Sequence, residues 1–310
     1  MAINLFYFLV FPGFLFAAIT GGFLSWFDRK ITARVQFRKG PPVLQPFYDF
    51  LKLLLVKETI LPKRGSPLIF LMSPVFALFG ATMSCVFIML PLFNITTGFR
   101  GDLIVIFYLL TIPSFSYILG SLASGNPLAA VGGSREMKLI LSYELTFLLL
   151  IAGIIMKSGQ QFNLYSVIKI QQEMSPFIGS VSGVLLFIAG IFCIQAKLAL
   201  VPFDIPEAEA EITEGIFIEY SGAAYALIKI TKYIMLFVLP SFIVALLLGG
   251  FRFDGINILW SILKLLGVVL LLTLIRNTNP RIKIKQAVSF FLVWMNLLAI
   301  IALILIAFGY

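Results

Sequence analysis

Eight apolar stretches constrain this chain more than any other feature of its sequence. A helix needs about 20 predominantly apolar residues to cross the hydrocarbon core of a bilayer. The stretches lie near residues 4–27, 66–91, 102–122, 137–156, 178–200, 222–248, 256–276 and 286–308. We therefore predict an all-α, polytopic membrane protein in which residues 1–310 form a single transmembrane domain of eight transmembrane helices.

The composition supports this class and argues against others. Hydrophobic residues make up 60% of the chain and charged residues only 12%, which is too little polar surface for a soluble domain. The first stretch leads into Asp28, Arg29 and Lys30 and not into small residues, so we expect a spanning helix and no cleaved signal peptide. Because the basic residues are dispersed among loops, we expect the lipid bilayer and other proteins as partners, and no nucleic acid.

The charge of the connecting segments predicts the orientation. Fifteen Lys and Arg residues lie in or beside segments 28–65, 123–136 and 277–285, whereas the opposite side carries only Arg100, Lys157, Lys169 and Arg252. Loops on the cytoplasmic side carry such an excess of positive charge. We predict that 28–65, 123–136, 201–221 and 277–285 are cytoplasmic, with both termini on the extracytoplasmic side of the plasma membrane.

The longest loop, segment 28–65, is a candidate docking surface. Its stretch Pro46–Glu58 alternates apolar and charged residues at helical spacing, which predicts an amphipathic interfacial helix. The simpler interpretation is a solvated basic face that only sets the topology. The charged residues that we assign to docking of peripheral subunits are Arg29, Arg34, Arg38, Asp49, Lys52, Glu58, Arg135 and Arg281.

A second unusual segment, 201–221, is acidic. It carries six carboxylates, and no Lys or Arg occurs between Leu198 and Ile228. Pro202 and Pro206 interrupt regular helix. Glu207, Glu211 and Glu214 follow at the spacing of one helical face, where neighbouring carboxylates raise each other's proton affinity. We interpret this segment as part of an ion or proton relay, and the alternative is a solvated acidic loop.

Several ionisable residues lie inside the apolar stretches. Ser134 is a plausible N-cap of the fourth helix, which places Glu144 at membrane depth, where an ionisable residue indicates function. Lysines near helix ends can instead reach the interface, but Lys264 lies deeper, where pairing with a buried carboxylate would offset its solvation cost. The relay candidates are Glu144, Asp204, Glu207, Glu209, Glu211, Glu214, Glu219, Lys197, Lys229 and Lys264, with Lys232 one turn from Lys229.

Cofactors are not expected in this chain. It contains no histidine and only two cysteines, Cys85 and Cys193, which lie far apart in apolar stretches. Haem, iron–sulfur clusters and typical zinc sites need more of these ligands, so we expect no metal site here. If the protein belongs to a redox complex, the electrons travel through other subunits.

These motifs resemble a known family. The chain is similar to the eight-helix membrane subunit of respiratory complex I that forms the floor of the quinone cavity and joins the peripheral arm to the membrane arm. The family also occurs in membrane-bound nickel–iron hydrogenases and related ferredoxin-driven, sulfur-reducing complexes. The residues that carry the resemblance, in order along the chain, are Arg34, Gln36, Arg38, Gly40, Pro41, Gln45, Pro46, Asp49, Lys52, Lys57, Glu58, Arg135, Ser142, Tyr143, Glu144, Pro202, Phe203, Asp204, Ile205, Pro206, Glu207, Glu209, Glu219, Tyr220, Ser221, Arg276, Pro280 and Arg281.

One departure from the family pattern bears on the electron acceptor. Quinone-using members usually carry Ala-Glu-Thr-Asn-Arg before the Pro-Phe-Asp motif, whereas this chain has Ala-Lys-Leu-Ala-Leu at 196–200. The acid is replaced by Lys197 and the arginine by Leu200. This change favours a relative whose acceptor, protons or a sulfur species, is reduced on the peripheral arm.

The resemblance implies a membrane anchor and coupling subunit that is not catalytic by itself. It implies iron–sulfur and hydrogenase-like peripheral subunits, in which the nickel–iron centre and the clusters reside, and antiporter-like membrane neighbours that move H⁺ or Na⁺. The alternatives are a subunit of a proton-pumping quinone oxidoreductase and a stand-alone cation carrier. A carrier is expected to show internal repeats around a mid-membrane site, and we find no convincing repeat.

Overall fold

The computed structural model describes residues 2–309, except for the side chains of Ala2, Glu209 and Ala210, and within that part the chain is helical without strands. The predicted relay residue Glu209 therefore lies outside the described side chains. The helices are α1 (Ala2–Leu9), α2 (Phe14–Val35), α3 (Gln45–Leu55), α4 (Pro67–Leu92), α5 (Asp102–Leu109), α6 (Ile112–Ala123), α7 (Pro127–Lys157), α8 (Leu164–Glu173), α9 (Val181–Lys197), α10 (Glu209–Ile212), α11 (Gly222–Leu247), α12 (Asn257–Thr278), α13 (Ile284–Ser289) and α14 (Asn296–Ala307). A π-helical segment, Phe290–Met295, joins α13 to α14.

The membrane class and the all-α fold are confirmed. Within residues 2–309, seven helical stretches are long and apolar enough to span a bilayer: Ile3–Val35, Pro67–Leu92, Asp102–Ala123, Pro127–Lys157, Gly222–Leu247, Asn257–Thr278 and Ile284–Ala307. The remaining predicted span, the fifth at 178–200, corresponds to α9, which has only 17 residues because a 3₁₀ turn at Phe177–Gly179 precedes it. The structure thus supports seven long helices and one shorter apolar helix.

Prolines break two of the predicted spans. The first is interrupted between α1 and α2, next to Pro12, and the third between α5 and α6, next to Pro113. Proline lacks an N–H group and clashes with the preceding helical turn, so a continuous helix is costly there. The first span also ends later than predicted, because α2 continues to Val35 and includes Arg29 and Arg34.

The predicted amphipathic helix is confirmed as α3. Pro46 is buried, whereas the apolar side chains of Tyr48, Leu51 and Leu55 are exposed. Helix α3 packs against α2 and α11, and a Cβ atom on Gly22 of α2 would lie 2.6 Å from the Phe47 ring. One edge of α3 is therefore fixed to the bundle while an apolar face stays uncovered.

The predicted start of the fourth helix was wrong. Helix α7 begins at Pro127, and its N-cap is Asn126, whose side chain accepts a hydrogen bond from the Leu128 N–H group at 2.9 Å. Asparagine followed by proline at the first helical position is a strong start signal. The Ser134 hydroxyl instead donates to the Val131 carbonyl within the helix. Most of the predicted loop 123–136 is consequently helical, and Arg135 lies in its third turn.

A close approach holds the acidic segment against α7. A Cβ atom at Gly132 would lie 2.7 Å from the Ile216 amide nitrogen and 3.0 Å from the Pro206 carbonyl oxygen. Both neighbours are backbone atoms and cannot rotate away. Residue 132 must therefore lack a side chain for the segment to reach its position.

We expect Gly132→Ala to lower the free energy of unfolding by about 1–3 kcal/mol, the usual cost of overpacking. Gly267→Ala in α12 is the matched control, because nothing lies within 4 Å of its added Cβ and alanine favours helix. Thermal unfolding of both variants in detergent checks this expectation. An unchanged Gly132→Ala variant would contradict the packing at this position.

Candidate ion-relay site

A buried ion pair joins α7 to α9. The Lys197 ammonium donates to Glu144 Oε1 at 2.6 Å, and the two side chains are 1% and 17% exposed. The ammonium also lies over three aromatic rings, with its nitrogen 5.9 Å from the centroid of Phe107, 5.2 Å from Tyr143 and 4.9 Å from Phe147. Desolvating two charges is costly, and the short contact and the ring faces offset part of that cost.

Lysines near helix ends often extend their ammonium group to the membrane interface, but Lys197 does not. Its side chain is 1% exposed and is enclosed by aromatic rings of α5 and α7, and the chain turns directly after it at Leu198 and Ala199. Ala199 adopts a positive φ of 47° at this turn. Two predicted relay residues are thus brought together at the end of the short helix α9.

A small cavity lies beside Lys197. It measures about 30 Å³, enough for about one or two water molecules. Its polar lining includes Glu136, Glu207 and Lys232 in addition to Lys197. Glu207 and Lys232 form an ion pair at 2.5 Å, and the Lys232 ammonium lies 4.6 Å from the Phe217 ring centroid. The cavity therefore separates two ion pairs that have no direct contact.

Glu136 is the relay candidate that the sequence analysis missed. It is 4% exposed, it hydrogen-bonds to Ser114, and its Oε2 atom has no hydrogen-bond partner among the described residues. Taking Ser134 as the N-cap had placed Glu136 in a solvated first turn. With the helix start at Asn126 and Pro127, Glu136 lies in the third turn, two turns before Glu144 and on a similar face of the helix.

A larger cavity of about 320 Å³ lies next to the small one. The two share Leu198, Glu207 and Lys232 as lining residues. The charged residues of the larger cavity are Asp28, Arg29, Glu207, Glu214, Lys229, Lys232 and Arg276. Three of the predicted relay residues, Glu207, Glu214 and Lys229, therefore line this cavity, and the charged lining extends from α11 to α2 and α12.

Asp28 anchors the far side of the larger cavity. It is 8% exposed, and its carboxylate accepts hydrogen bonds from Arg276 at 2.6 Å and from the Thr273 hydroxyl at 2.9 Å. The sequence had marked Asp28 only as the end of the first apolar stretch. Its pairing was not predictable locally, because the partners lie about 245 residues further along the chain.

We expect Arg276→Gln to lower the free energy of unfolding by about 1.5–3 kcal/mol, the usual value of a hydrogen bond to a charged group. The variant leaves Asp28 buried beside one hydroxyl. The double variant Asp28→Asn/Arg276→Gln removes that unpaired charge and should recover part of the loss. Denaturant unfolding, with the exposed Arg38→Gln as control, checks the order of stabilities. Equal stability of Arg276→Gln and wild type would contradict it.

The predicted stripe of carboxylates on one helical face was wrong. Glu207 ends a 3₁₀ turn, Glu211 lies in the four-residue helix α10, and Glu214 has a positive φ of 67°. The three residues do not share one helix, because Ala208 is extended and Thr213 and Glu214 both have positive φ, which ends a right-handed helix. Of the three residues, only Glu207 and Glu214 line the larger cavity.

Three other carboxylates of the segment hold it in place. Their partners are Arg281 for Asp204 at 2.7 Å, Arg135 for Glu211 at 2.6 Å, and Asn126 for Glu219 at 2.6 Å. Burial raises the pKa of Asp204 above its usual value, although the nearby guanidinium of Arg281 opposes the shift. These contacts lie outside the two cavities.

The predicted pairing of Lys264 with a buried carboxylate was wrong. Its ammonium donates to the backbone carbonyls of Leu248, at 2.6 Å, and Gly250, at 3.4 Å. Helices end with carbonyl groups that lack a partner, and a cation there is favourable. No carboxylate pairs with Lys264 among the described ion pairs. Lys264 therefore caps the end of α11.

The predicted docking residues divide into two groups. Arg29, Asp49, Arg135 and Arg281 form ion pairs within the chain. For Asp49, partial burial raises the pKa, but the hydrogen bonds from Arg29 and Gln45 outweigh it, and the net shift is downward. The other four side chains are exposed. Arg34 lies at the end of α2, Arg38 in the loop between α2 and α3, Lys52 on α3 and Glu58 in the loop after α3.

The fold and this site define a polytopic helical membrane protein with ion pairs buried between its helices. Residues 7–307 match the NADH dehydrogenase family, and the chain belongs to that family. Among the described side chains, no group of three or more His, Cys, Asp or Glu residues could hold a metal ion.

Similar proteins cover nearly the whole chain. An NADH-quinone oxidoreductase subunit of Syntrophotalea carbinolica is 32% identical over 281 residues, covering 85% of this chain and 83% of that protein. The corresponding NADH-quinone oxidoreductase subunit of Brevibacillus brevis is 32% identical over 307 residues, with coverage of 92% and 88%. A chain of the membrane-bound sulfane sulfur reductase, an archaeal respiratory membrane complex, superposes with a TM-score of 0.88 at 28% identity, covering 99% of this chain and 100% of that one.

Proposed function

We propose that this chain is the membrane anchor and coupling subunit of a complex-I-related respiratory complex. It links ferredoxin-driven redox chemistry in a peripheral arm, either hydrogen evolution or sulfur reduction, to H⁺ or Na⁺ translocation in a membrane arm. Its partners are iron–sulfur and hydrogenase-like peripheral subunits and antiporter-like membrane subunits. The basic loops face the cytoplasm, and both termini lie on the extracytoplasmic side of the plasma membrane.

The observation that carries this proposal is the series of buried and partly buried charges from α7 to α2. It begins at Glu144–Lys197, passes the small cavity with Glu136, and reaches Glu207–Lys232 at the wall of the larger cavity. A chain that served only as an anchor would have no use for this costly arrangement. A change of charge in the larger cavity can alter the proton affinity of each successive group, because Coulomb interactions are strong where water is scarce.

The lining of the larger cavity supports an acceptor other than quinone. Seven charged side chains line it, on α2, α11, α12 and the acidic segment. An isoprenoid quinone is largely apolar, and sites for such ligands are lined mainly by apolar and aromatic side chains. Lys197, in place of the usual acid, is bound to Glu144 and is not free to contact a ligand. Redox chemistry then belongs to the peripheral subunits.

A quinone-reducing complex is the second candidate. The names of the NADH-quinone oxidoreductase relatives favour it. The larger cavity also favours it, because a quinone head group needs a space of this kind to bind. In that case a quinone head group would have to pair with the charged side chains of the larger cavity.

The exposed charges of the first loop support docking of a peripheral subunit. Arg34, Arg38, Lys52 and Glu58 remain free of described ion pairs, and arginine forks suit carboxylates of a partner. The ion pair Arg29–Asp49 fixes α3 beside α2 at 2.8 Å and so holds this surface in shape.

The test is purification of the native complex in mild detergent through a tag on this chain. Reduced ferredoxin, or a reduced viologen, is then supplied with protons, polysulfide or a short-chain quinone as acceptor. We expect hydrogen or sulfide to form without quinone reduction. Inhibitor-sensitive quinone reduction would establish the second candidate, and ion transport by the isolated chain in liposomes would overturn both.

A further inference from the structure

A lipid-facing groove runs between α7 and the last helical stretch. It measures about 820 Å³ and is lined by Lys138, Leu141, Ser142, Ile284, Lys285, Val288, Ser289, Leu292 and Val293. Leu141, Leu292 and Val293 are 66%, 47% and 50% exposed, and both walls belong to membrane-spanning helices. The groove is therefore apolar inside the bilayer and basic at one end.

The apolar wall continues along α7 for the depth of one leaflet. Below Lys138, the exposed side chains Leu141, Leu145 and Leu148 follow at helical spacing. The helix rises about 15 Å between residues 138 and 148, half of the roughly 30 Å hydrocarbon core. An acyl chain of the same leaflet has this length available along the helix.

The basic end of the groove lies where the apolar stretch of α7, near residues 137–156, begins. Lys138 lies in the fourth turn of α7 and Lys285 in the first turn of α13; both are exposed, and neither takes part in an ion pair among the described residues. The exposed Ser289 hydroxyl lies further down the same groove. Two ammonium groups at the mouth of an apolar groove are complementary to an anionic head group carried on acyl chains.

We propose that this groove is a binding site for an anionic glycerophospholipid of the cytoplasmic leaflet. Its phosphate lies between Lys138 and Lys285, and one acyl chain packs on Leu141, Leu292 and Val293. Basic pockets between transmembrane helices on the cytoplasmic side recognise such head groups. The π-helical segment Phe290–Met295 forms part of this wall, and segments of this type often mark functional sites. The bound lipid ties α7, which carries Glu144, to the last helix.

The test uses the full chain in detergent, delipidated and then titrated with dioleoylphosphatidylglycerol or dioleoylphosphatidylcholine. Native mass spectrometry counts retained lipids, and thermal unfolding measures the stabilisation that binding confers. We expect tight, salt-sensitive retention of phosphatidylglycerol and no comparable retention of phosphatidylcholine. The variant Lys138→Gln/Lys285→Gln should bind phosphatidylglycerol about tenfold or more weakly, as expected for loss of two cations.

Two further variants separate the possible outcomes. Lys39→Gln/Lys63→Gln removes two exposed charges elsewhere and should bind phosphatidylglycerol like wild type. Ser289→Trp fills the groove, keeps both lysines, and should also weaken binding. Equal retention by wild type and both groove variants would overturn the proposal, since only annular lipid would then be detected. Cross-linking of Leu292→Cys to a neighbouring protein in the native complex would also overturn it, because that protein would then cover the groove.

Discussion

Replacing Lys197 by methionine is expected to lower the free energy of unfolding by about 3–5 kcal/mol. The substitution keeps most of the side-chain volume but leaves the Glu144 carboxylate buried, between α7 and α9, without its partner at 2.6 Å. Removing one member of a buried pair costs more than the pair itself contributes, because the remaining charge stays desolvated. Reversible unfolding of the full chain in mixed micelles measures the change.

The double variant Glu144→Gln/Lys197→Met separates the pair from its surroundings. We expect it to recover most of the lost stability, because two neutral side chains of similar size need no mutual compensation. The exposed Lys63→Met serves as the control and should match wild type. If the double variant were as unstable as Lys197→Met alone, the cost would come from packing against the aromatic rings and not from the unpaired charge.

Glu136→Gln is expected to reduce ion translocation by at least about tenfold, which corresponds to about 1.4 kcal/mol in barrier height. Glu136 lines the small cavity that separates Glu144–Lys197 from Glu207–Lys232, and an amide there cannot accept and release a proton. Electron transfer from ferredoxin to the acceptor should continue close to the wild-type rate. Ion uptake by proteoliposomes containing the native complex, measured with redox turnover, tests both parts.

Glu211 was among the relay residues predicted from the sequence, but its position outside both cavities makes Glu211→Gln the matched control for that experiment. Glu211 is 61% exposed, pairs with Arg135 on the surface of the acidic segment, and lines neither of the two cavities. Its amide variant should keep normal coupling. Loss of coupling in Glu211→Gln together with normal coupling in Glu136→Gln would place the relay on the surface of this segment and contradict the buried route.

The sequence was sufficient to predict the fold class, because a bilayer restricts the chain to helices and each span needs a long apolar stretch. It located the helix ends less well. Hydropathy predicts two continuous spans where the helices are interrupted next to Pro12 and Pro113. Helix α9 is also shorter than the apolar stretch that contains it. At the start of α7, Asn126 followed by Pro127 is a stronger signal for the beginning of a helix than Ser134. A helix that begins at Ser134 places Glu136 in its first turn, so the burial of Glu136 was not predicted.

The sequence identified several of the charged residues of the site but not which of them contact each other. Glu144 and Lys197 stood out because each is ionisable within an apolar stretch, yet their contact depends on the packing of α7 against α9. Asp28 and Arg276 likewise meet only in the folded bundle. The helical spacing of Glu207, Glu211 and Glu214 gave a wrong prediction of one shared helical face. That prediction assumes a continuous helix, and the segment between Pro206 and Gly215 does not form one.

The most direct test of the coupling role is ion uptake by proteoliposomes that contain the native complex with the Glu144→Gln/Lys197→Met chain. This variant is expected to be stable, so a loss of function would not reflect misfolding. We expect ferredoxin-dependent reduction of protons or polysulfide to continue while no H⁺ or Na⁺ gradient forms. A normal gradient at a normal rate of reduction would show that the buried pair carries no coupling and would contradict the proposed function at its centre.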